Sequence, residues 1–287
     1  MTSRTSDKRK TAVAFPGERG AFSELAAHTY FGLRVRTLPL RSFDDVFQKV
    51  SRSHAMVGII PIENSLLGSI HENYDLLQTY SLKIIGEIKL RVVHSLLVNR
   101  QVTMKNVRYV YSHPQALGQC EAFFRKHKSI EAVAMYDTAG AAKYIKEEHR
   151  TDAAAIASAD AARVYGLQVL RSGIESNRQN YTRFLILSNR NRTTEGKTKT
   201  SIIFSLKNIS GALHKALSVF ALRNINLHKI ESRPLIGKPW QYMFYLDFEG
   251  NVRNEVSRRA IENLREMTLY LKILGSYPEG KTIVSKR

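Results

Sequence analysis

Residues 188–200 read Ser-Asn-Arg-Asn-Arg-Thr-Thr-Glu-Gly-Lys-Thr-Lys-Thr, and this polar stretch separates two parts of the chain. It lies between the apolar runs Phe184–Leu187 and Ile202–Leu206 and has no apolar periodicity, which is typical of an exposed linker. The chain therefore divides into a first region at 12–189, a linker at 190–199 and a second region at 200–280.

The composition is that of a folded protein with about two domains. The chain has 287 residues, and a domain takes ~150 residues on average. Hydrophobic residues make up 43% of the chain and charged residues 24%, which excludes wholesale disorder. No apolar run approaches the ~20 residues that a membrane helix needs, so we expect no membrane partner.

Cysteine usage and the first residues bear on the compartment. Cys120 is the single cysteine, so no internal disulfide can form, which fits a reducing compartment. Residues 1–11 are polar and basic and lack the apolar segment of a secretory signal. We expect a cytoplasmic protein. The alternative is an organelle such as a plastid, with residues 1–11 as the remnant of a trimmed transit peptide.

The formal net charge of +19 is spread along the chain. No block of five like charges occurs, and basic residues are not interleaved with aromatic ones as in an RNA-binding sheet. We therefore expect the charge to attract small anionic molecules and to keep the protein soluble, and we expect no nucleic-acid partner.

Short apolar runs alternate with helical patterns in the first region. This order predicts an α/β region with largely parallel sheets. The apolar stretch Leu82–Val98 carries four charges, and we interpret it as extended chain that crosses between two lobes. The predicted buried strands are Ala12–Phe15, Met56–Ile62, Arg108–Tyr111, Ala132–Tyr136 and Ala153–Ala157.

Local signals mark helix ends in the first region. Ser42 with Asp45, and Ser69 with Glu72, have the spacing of a capping box. Pro114 stands where a first-turn proline belongs, and Gly166 follows a short helical pattern that it would end.

The second region predicts a βαββαβ order, the split-βαβ or ferredoxin-like pattern. A Gly-Lys-Pro turn at residues 237–239 separates its two central strands. The predicted elements are strand 201–206, helix 211–223, strand 226–233, strand 241–248, helix 254–267 and strand 270–276.

Polar clusters follow several predicted strands, where open α/β folds bind ligands. Residues 63–65, Glu-Asn-Ser, come directly after a buried run and predict either helix capping or ligand contact. His113 is a candidate general base, although a cap or surface position fits it as well. Arg183 beside the Thr182 hydroxyl is a natural carboxylate-binding pair.

Known cofactor patterns are absent from the sequence. It has no Gly-x-Gly-x-x-Gly, no P-loop, no His-Glu-x-x-His and no Gly-x-Ser-x-Gly. We expect neither a cofactor nor a metal.

Together the clusters resemble the motif set of prephenate dehydratases and the related arogenate dehydratases. Seven motifs occur in order over about residues 12–277, and the last two resemble those of the phenylalanine-binding ACT domain. They are Gly17-Glu-Arg-Gly-Ala-Phe-Ser-Glu24, Pro61-Ile-Glu-Asn-Ser65 with Gly68-Ser69, Ser112-His-Pro-Gln-Ala-Leu117, Asp137-Thr-Ala-Gly-Ala-Ala142, Asn180-Tyr-Thr-Arg-Phe184, Gly211-Ala-Leu213 and Ile230-Glu-Ser-Arg-Pro234.

The resemblance implies a fold and an activity. The catalytic region would be two-lobed and like periplasmic binding proteins, with one lobe at about 12–90 and 170–189 and the other at about 91–169. A ferredoxin-like ACT domain would follow. The implied reaction is the decarboxylating dehydration of prephenate to phenylpyruvate, inhibited by phenylalanine bound between ACT domains of a homodimer or homotetramer. The alternatives are an arogenate dehydratase and a non-catalytic aromatic amino-acid sensor.

The resemblance also implies site residues. We expect the Thr182 hydroxyl to donate to the departing hydroxyl of the substrate, directly or through Glu63 or a water, with Arg183 holding a carboxylate. The implied catalytic residues are Thr182, Glu63 and Asn64; the substrate-binding residues are Ser65, Ser112, Gln115, Thr138, Asn180, Arg183 and Phe184; the phenylalanine-binding residues are Asn208, Gly211, Ala212, Leu213, Glu231, Ser232, Arg233 and Pro234.

Two positions depart from the family pattern. Ser176 stands where an acidic residue is common, six positions before the motif threonine, and Ser210 stands where proline often precedes the ACT glycine. The first bears on the polarity of the cleft and the second on the strength of phenylalanine inhibition.

Overall fold

A computed structural model of the chain describes residues 12–192, 196–235 and 237–283. The basic segment 1–11, which the alternative of an organelle protein treats as the remnant of a transit peptide, lies outside the described residues. The strands are β1 (Ala12–Pro16), β2 (Arg36–Leu40), β3 (Met56–Asn64), β4 (Gly68–Ser69), β5 (Lys83–Arg91), β6 (Ser95–Val98), β7 (Tyr109–Ser112), β8 (Glu131–Ala134), β9 (Ala153–Ala157), β10 (Gln168–Ser172), β11 (Tyr181–Ser188), β12 (Thr198–Leu206), β13 (Leu227–Pro234), β14 (Tyr242–Glu249), β15 (Thr268–Pro278) and β16 (Thr282–Ile283). The helices are α1 (Phe22–Phe31), α2 (Phe43–Ser51), α3 (His71–Thr79), α4 (Pro114–Gln119), α5 (Glu121–Lys126), α6 (Thr138–Glu147), α7 (Ala159–Tyr165), α8 (Ala212–Ala221) and α9 (Glu255–Met267).

The first region contains two sheets, and the chain crosses between them twice. One sheet has the strand order β16-β5-β11-β3-β1-β2 with β4 on β3, and the other has the order β10-β6-β9-β7-β8. The predicted extended stretch Leu82–Val98 forms β5 in the first sheet and β6 in the second. The chain returns to the first sheet through β11.

The sheets are mixed, which corrects the prediction of largely parallel sheets. The strands β1, β2 and β3 are parallel, but β11 runs antiparallel to both of its neighbours, β3 and β5. In the second sheet β6 is antiparallel to β9 and β10. The physical reason is the double crossing. The strand β6 carries the chain into the second sheet and β11 carries it back into the first, and each runs opposite to both of its neighbours.

The two lobes touch at the turn between β1 and α1. The Ser158 hydroxyl donates to the Gly20 carbonyl at 2.6 Å, and Lys143 pairs with Glu18 at 3.3 Å. A Cβ on Gly20 would lie 2.6 Å from the Cα of Ala161, and the φ of Gly20 is +84°. Only glycine permits this approach of one lobe to the other.

The second region forms the predicted βαββαβ sheet, with the order β13-β14-β12-β15. All of its neighbouring strands are antiparallel. One face of the sheet, including Phe204 and Leu246, packs under α8 and α9. The opposite face, including Ile203 and Tyr245, packs against the first lobe. The fold class expected from the sequence, an α/β region in two lobes plus a ferredoxin-like sheet, is confirmed.

The polar linker is shorter than the sequence predicts. β11 ends at Ser188 and β12 already begins at Thr198, so Lys199 is a strand residue that is only 3% exposed. Burial of this lysine is tolerated because Glu87 and Asp247 compensate its charge, as described below. We propose that the connection runs over residues 189–197 rather than forming the linker 190–199. After β15 the chain returns to the first lobe, where β16 pairs in parallel with β5.

The helix signals are mostly confirmed. Ser42 and Asp45 form a capping box, Pro114 lies in the first turn of α4, and Gly166 ends α7 in the left-handed conformation. The capping box predicted at Ser69 is wrong, since α3 begins after Ile70 and Ser69 belongs to β4. Within the described residues no helix is both long and apolar enough to cross a membrane.

Candidate active site

Thr182 and Asn64 lie side by side on adjacent strands of the first sheet. They are register partners of the antiparallel pair β11 and β3, so their side chains share one face of the sheet. The Asn64 amide nitrogen donates to the Thr182 hydroxyl oxygen at 3.0 Å, and both residues are buried.

Backbone donors set the direction of this hydrogen bond. The N–H groups of Leu66 and Leu67 donate to the Asn64 carbonyl oxygen at 3.0 and 3.1 Å. An N–H can only donate, so the Asn64 amide nitrogen must face Thr182 and the Thr182 oxygen must accept. Within the described residues the hydroxyl hydrogen of Thr182 has no acceptor. It is therefore available to a bound molecule.

The network continues through two more amides to a histidine. Asn64 also donates to the side-chain carbonyl of Asn180 at 2.8 Å, and Asn180 donates to the Gln119 carbonyl oxygen at 2.8 Å. The same Gln119 oxygen lies 2.7 Å from Nε2 of His94. Burial lowers the pKa of His94, so its ring is neutral, and Nε2 carries the hydrogen that this oxygen accepts.

Sequence reasoning missed Gln119 and His94. Gln119 lies four residues after Gln115, one helical turn on, and this spacing places both on one face of α4. This spacing from the predicted substrate-binding residue Gln115 is the sequence signal that could have identified Gln119. His94 lies between β5 and β6, where the chain leaves the first lobe. Gln119 belongs to the second lobe, so the network joins the two lobes.

The second lobe holds three more of the predicted substrate-binding residues. The Ser112 hydroxyl donates to the Ile156 carbonyl at 2.6 Å, at the end of β7. Gln115 is exposed in α4, the helix that ends at Gln119. Thr138 is half-buried at the first position of α6, which Asp137 caps. Asp137 also faces the first lobe, since a Cβ on Gly17 would lie 2.4 Å from its carboxylate.

Ser65 and Phe184 are placed in structural roles. The Ser65 hydroxyl donates to the Gln179 carbonyl at 2.7 Å and accepts from the Tyr181 N–H at 2.9 Å, which ties the end of β3 to the start of β11. Phe184 is buried in the core of the first lobe beside residues of β1 and β3.

Glu63 and Arg183, predicted as a catalytic and a substrate-binding residue, point away from Thr182. They are register partners next to Asn64 and Thr182, and successive strand residues face opposite sides of a sheet. Glu63 pairs with Lys229 of β13 at 3.1 Å. Arg183 contacts Glu87 at 2.7 Å and Asp247 at 2.7 Å. The guanidinium of Arg183 thus pairs with two carboxylates at 2.7 Å and lies 3.9 Å from a third, that of Glu63.

The contacts of Arg183 belong to a buried cluster of four charges between the first lobe and the C-terminal sheet. Its other cation is Lys199, whose ammonium lies 2.8 Å from Glu87 and 3.8 Å from Asp247. Burial raises the pKa of Asp247 and of Glu87, but Arg183 and Lys199 outweigh it and hold both pKa values below the ordinary range. Both carboxylates are therefore charged at neutral pH, while burial, followed by Arg183, lowers the pKa of Lys199.

Comparison with known proteins identifies the chain. The Prephenate dehydratase family matches residues 13–192, and the ACT domain family matches residues 200–266. Arogenate dehydratase/prephenate dehydratase 2 of Arabidopsis thaliana, named as chloroplastic, is 45% identical over 99% of this chain and 77% of its own length. The chain belongs to the prephenate dehydratase family. Family membership makes it a carbon–oxygen lyase of phenylalanine biosynthesis with a C-terminal ACT domain.

Two solved structures share the fold of this family member. The prephenate dehydratase of Arthrobacter aurescens in complex with L-Phe has a TM-score of 0.85 and 28% identity, covering 93% of this chain and 89% of that one. A structure described as GqqA, a novel type of quorum quenching acylase, has a TM-score of 0.86 and 33% identity, covering 94% of this chain and 98% of that one.

The effector residues predicted in the ACT domain divide between two faces. Ser232 and Pro234 lie on the exposed side of the edge strand β13. Glu231 and Arg233 face the first lobe, where Glu231 accepts from Ser69 at 2.8 Å and Arg233 pairs with Asp75 at 2.6 Å. The remaining predicted residues are Asn208, whose amide lies 3.4 Å from the Trp240 carbonyl, Gly211, which precedes α8 with a φ of 74°, and Ala212 and Leu213 in the first turn of α8.

The side chains of the two residues that depart from the family pattern lie outside the Thr182 network, although the Ser176 backbone N–H donates to the Gln119 backbone carbonyl at 2.7 Å. The Ser176 hydroxyl accepts from the Ala122 N–H at 3.0 Å, at the start of α5. Ser210 is exposed directly before Gly211. Across the described residues, no group of three or more His, Cys, Asp or Glu side chains is arranged to hold a metal ion.

Reversing the hydrogen bond at Asn64 tests the geometry of the network. In the near-isosteric variant Asn64→Asp the backbone N–H groups still find an acceptor, but the donor to Thr182 is lost. The Thr182 hydroxyl then donates to the new carboxylate and turns its hydrogen away from the cleft. We expect kcat to fall about 10²-fold, measured by steady-state kinetics. An unchanged kcat would show that Thr182 does not depend on this direction.

Proposed function

We propose that this family member converts prephenate to phenylpyruvate, with the Thr182 hydroxyl as the hydrogen-bond donor to the departing hydroxyl. The observation that carries the proposal is the direction of the Asn64 bond, which leaves the Thr182 hydrogen free. A hydroxyl that is buried, fixed in position and free to donate is suited to stabilise charge that develops on an oxygen.

The reaction balances with one proton. Loss of the ring carboxylate as CO2 leaves an electron pair that forms a new ring double bond and expels the ring hydroxyl, and the proton completes a water molecule. Aromatisation of the ring drives these changes. A threonine hydroxyl is a weak acid, so its role is a hydrogen bond to the departing oxygen, and solvent supplies the proton.

The N-terminus of α1 is our candidate position for binding a substrate carboxylate, because Arg183 already pairs with Glu87 and Asp247. The residue before the helix is Ala21, which offers no side-chain acceptor to the first N–H groups of α1. Such free N–H groups and the helix dipole bind anions. Phe22, the first helical residue, packs its ring edge-on against His94 at 5.6 Å, so this helix start lies beside the hydrogen-bond network.

Arogenate is the second candidate substrate, because the 45% identical Arabidopsis relative is named for both activities. The two substrates differ in a keto or an amino group on the side chain. A competition assay decides between them: the protein receives equal amounts of both, and mass spectrometry follows phenylpyruvate and phenylalanine. We expect phenylpyruvate to form faster. Faster phenylalanine formation identifies an arogenate dehydratase, and neither product above a Thr182→Ala control overturns the dehydratase proposal.

We further propose that phenylalanine inhibits the enzyme by binding between the ACT domains of two copies in a homodimer or homotetramer. The Arthrobacter structure in complex with L-Phe supports this effector. Among the described residues no strand pairs with the outer side of the edge strand β13, and apolar side chains near it are exposed, including Ile209, Leu213, Ile230 and Trp240. An open strand edge beside exposed apolar groups is typical of a surface that a second copy covers.

For the compartment, the cytoplasm stays our proposal. The chloroplastic name of the Arabidopsis relative supports the organelle alternative.

A further inference from the structure

The strands that carry the active-site side chains carry charged side chains on their other face. On β3, Asn64 faces Thr182 and its neighbour Glu63 faces the ACT sheet; on β11, Thr182 and Arg183 divide in the same way. A movement of the ACT sheet that pulls on Glu63 therefore acts one residue away from Asn64, whose amide orients Thr182.

The two contacts on that other face differ in their freedom to rearrange. Arg183 and its carboxylate partners are buried, and separating such charges leaves them without water or a counter-ion. The Glu63 contact is half-exposed, with 36% of its side chain accessible. Water can replace a lost partner there, so this contact can change at a small cost in free energy.

The half-exposed contact is built around one lysine of the edge strand β13. The Lys229 ammonium lies 3.1 Å from Glu63 and 3.4 Å from Glu231, and it donates to the Ser69 hydroxyl at 3.1 Å. Glu231 also accepts from Ser69 at 2.8 Å, and His71 lies 3.8 Å from it. Lys229 is thus shared between a carboxylate beside the active-site asparagine and one within the effector motif at 230–234.

We infer that Lys229 couples the effector site to the active site, with its ammonium redistributing between Glu63 and Glu231 when phenylalanine binds. The inference rests on the phenylalanine inhibition proposed above. An effector can act only when its affinity differs between two states of the protein. The two positions of the Lys229 ammonium, on Glu63 or on Glu231, provide two such states. In one arrangement Lys229 holds Glu63 and the Asn64–Thr182 geometry is kept. In the other it moves toward Glu231, Glu63 keeps only its longer contact with Arg183 at 3.9 Å, and Asn64 shifts with it.

The variant Lys229→Met tests the coupling, because it removes the ammonium and keeps much of the side-chain length. Activity is measured with and without saturating phenylalanine, and phenylalanine binding is measured by calorimetry on the same full-length protein. We expect activity without phenylalanine to fall toward the level of phenylalanine-inhibited wild type, because Glu63 has lost the ammonium, while the Kd for phenylalanine stays within about threefold of wild type and added phenylalanine inhibits at least about fivefold less. Lys229→Arg, which keeps the charge, should restore inhibition.

A matched control is available across the same interface. Asp75 of α3 forms an ion pair with Arg233 of β13 at 2.6 Å, so Asp75→Asn removes a contact of the same kind between the same two regions. The predicted active-site residues do not include any residue of α3, and we expect this variant to be inhibited like wild type.

The outcomes separate this inference from the proposed function. If wild type binds phenylalanine and Lys229→Met is inhibited as strongly as wild type, the coupling role is overturned and the proposed inhibition stays intact. Equal loss of inhibition in Asp75→Asn would also overturn it, since any weakening of the interface would then suffice. Wild type that binds no phenylalanine in the calorimeter would overturn the proposed inhibition, and the coupling role with it.

Discussion

Thr182→Ala should lower kcat by about 10²–10³-fold, the usual effect of removing one hydrogen-bond donor from a developing oxyanion. The expected cause is loss of the one hydroxyl that accepts from Asn64 and keeps its own hydrogen free. KM should change little, because the hydrogen bond strengthens as charge develops on the departing oxygen and is weak in the bound substrate. Steady-state kinetics with prephenate and with arogenate measures both constants.

Thr182→Ser is the matched control. It keeps the hydroxyl and the Asn64 contact and loses only a methyl group, so kcat should stay within about tenfold of wild type. An alanine variant with near wild-type kcat would refute the donor role. An alanine variant that loses activity through KM alone would make Thr182 a binding residue.

The second large effect is on stability, in the variant Asp247→Asn. This near-isosteric change leaves Arg183 and Lys199 to share Glu87, so a positive charge stays buried without its counter-ion. Breaking a buried ion pair in this way costs about 3–5 kcal/mol of unfolding free energy. The midpoint of thermal unfolding, followed by circular dichroism, should fall by about 10 °C.

The pH dependence of this effect has a definite sign. Because the folded protein holds the pKa of Asp247 below its ordinary value of 3.8, the charged carboxylate stabilises the fold above that pH. That contribution is lost as the pH falls from 3.8 through the lower pKa of the folded state. The difference in stability between wild type and Asp247→Asn should therefore shrink below pH 3.8.

Arg258→Ala provides the comparison for the stability experiment. Arg258 pairs with Glu262 at 2.7 Å on the exposed face of α9, where both side chains are about half accessible. Such a pair contributes about 0–1 kcal/mol. An Asp247→Asn variant as stable as Arg258→Ala would mean that the cluster of Arg183, Lys199, Glu87 and Asp247 does not hold the ACT sheet on the first lobe.

Five strands of the first region, the βαββαβ plan of the second region and the family motifs could be read from the sequence, whereas β2 and β10 were not predicted. These features are local: apolar periodicity, a first-turn proline at 114 and a left-handed glycine at 166 act over a few residues. The resemblance to the dehydratase motifs identified Asn64, Thr182 and Asn180, and the structure brings all three into one hydrogen-bond network.

Which side chains face the active site depends on contacts between parts of the chain that are far apart in sequence. β11 is buried on both faces, one against the core that includes α1 and the other against the core that includes the ACT sheet, so its sequence has no polar side that would assign Thr182 and Arg183 to different partners. Lys199 looked like part of an exposed linker for a related reason. Its compensating charges, Glu87 and Asp247, come from distant strands, and a buried lysine is stable only once folding has brought such partners together.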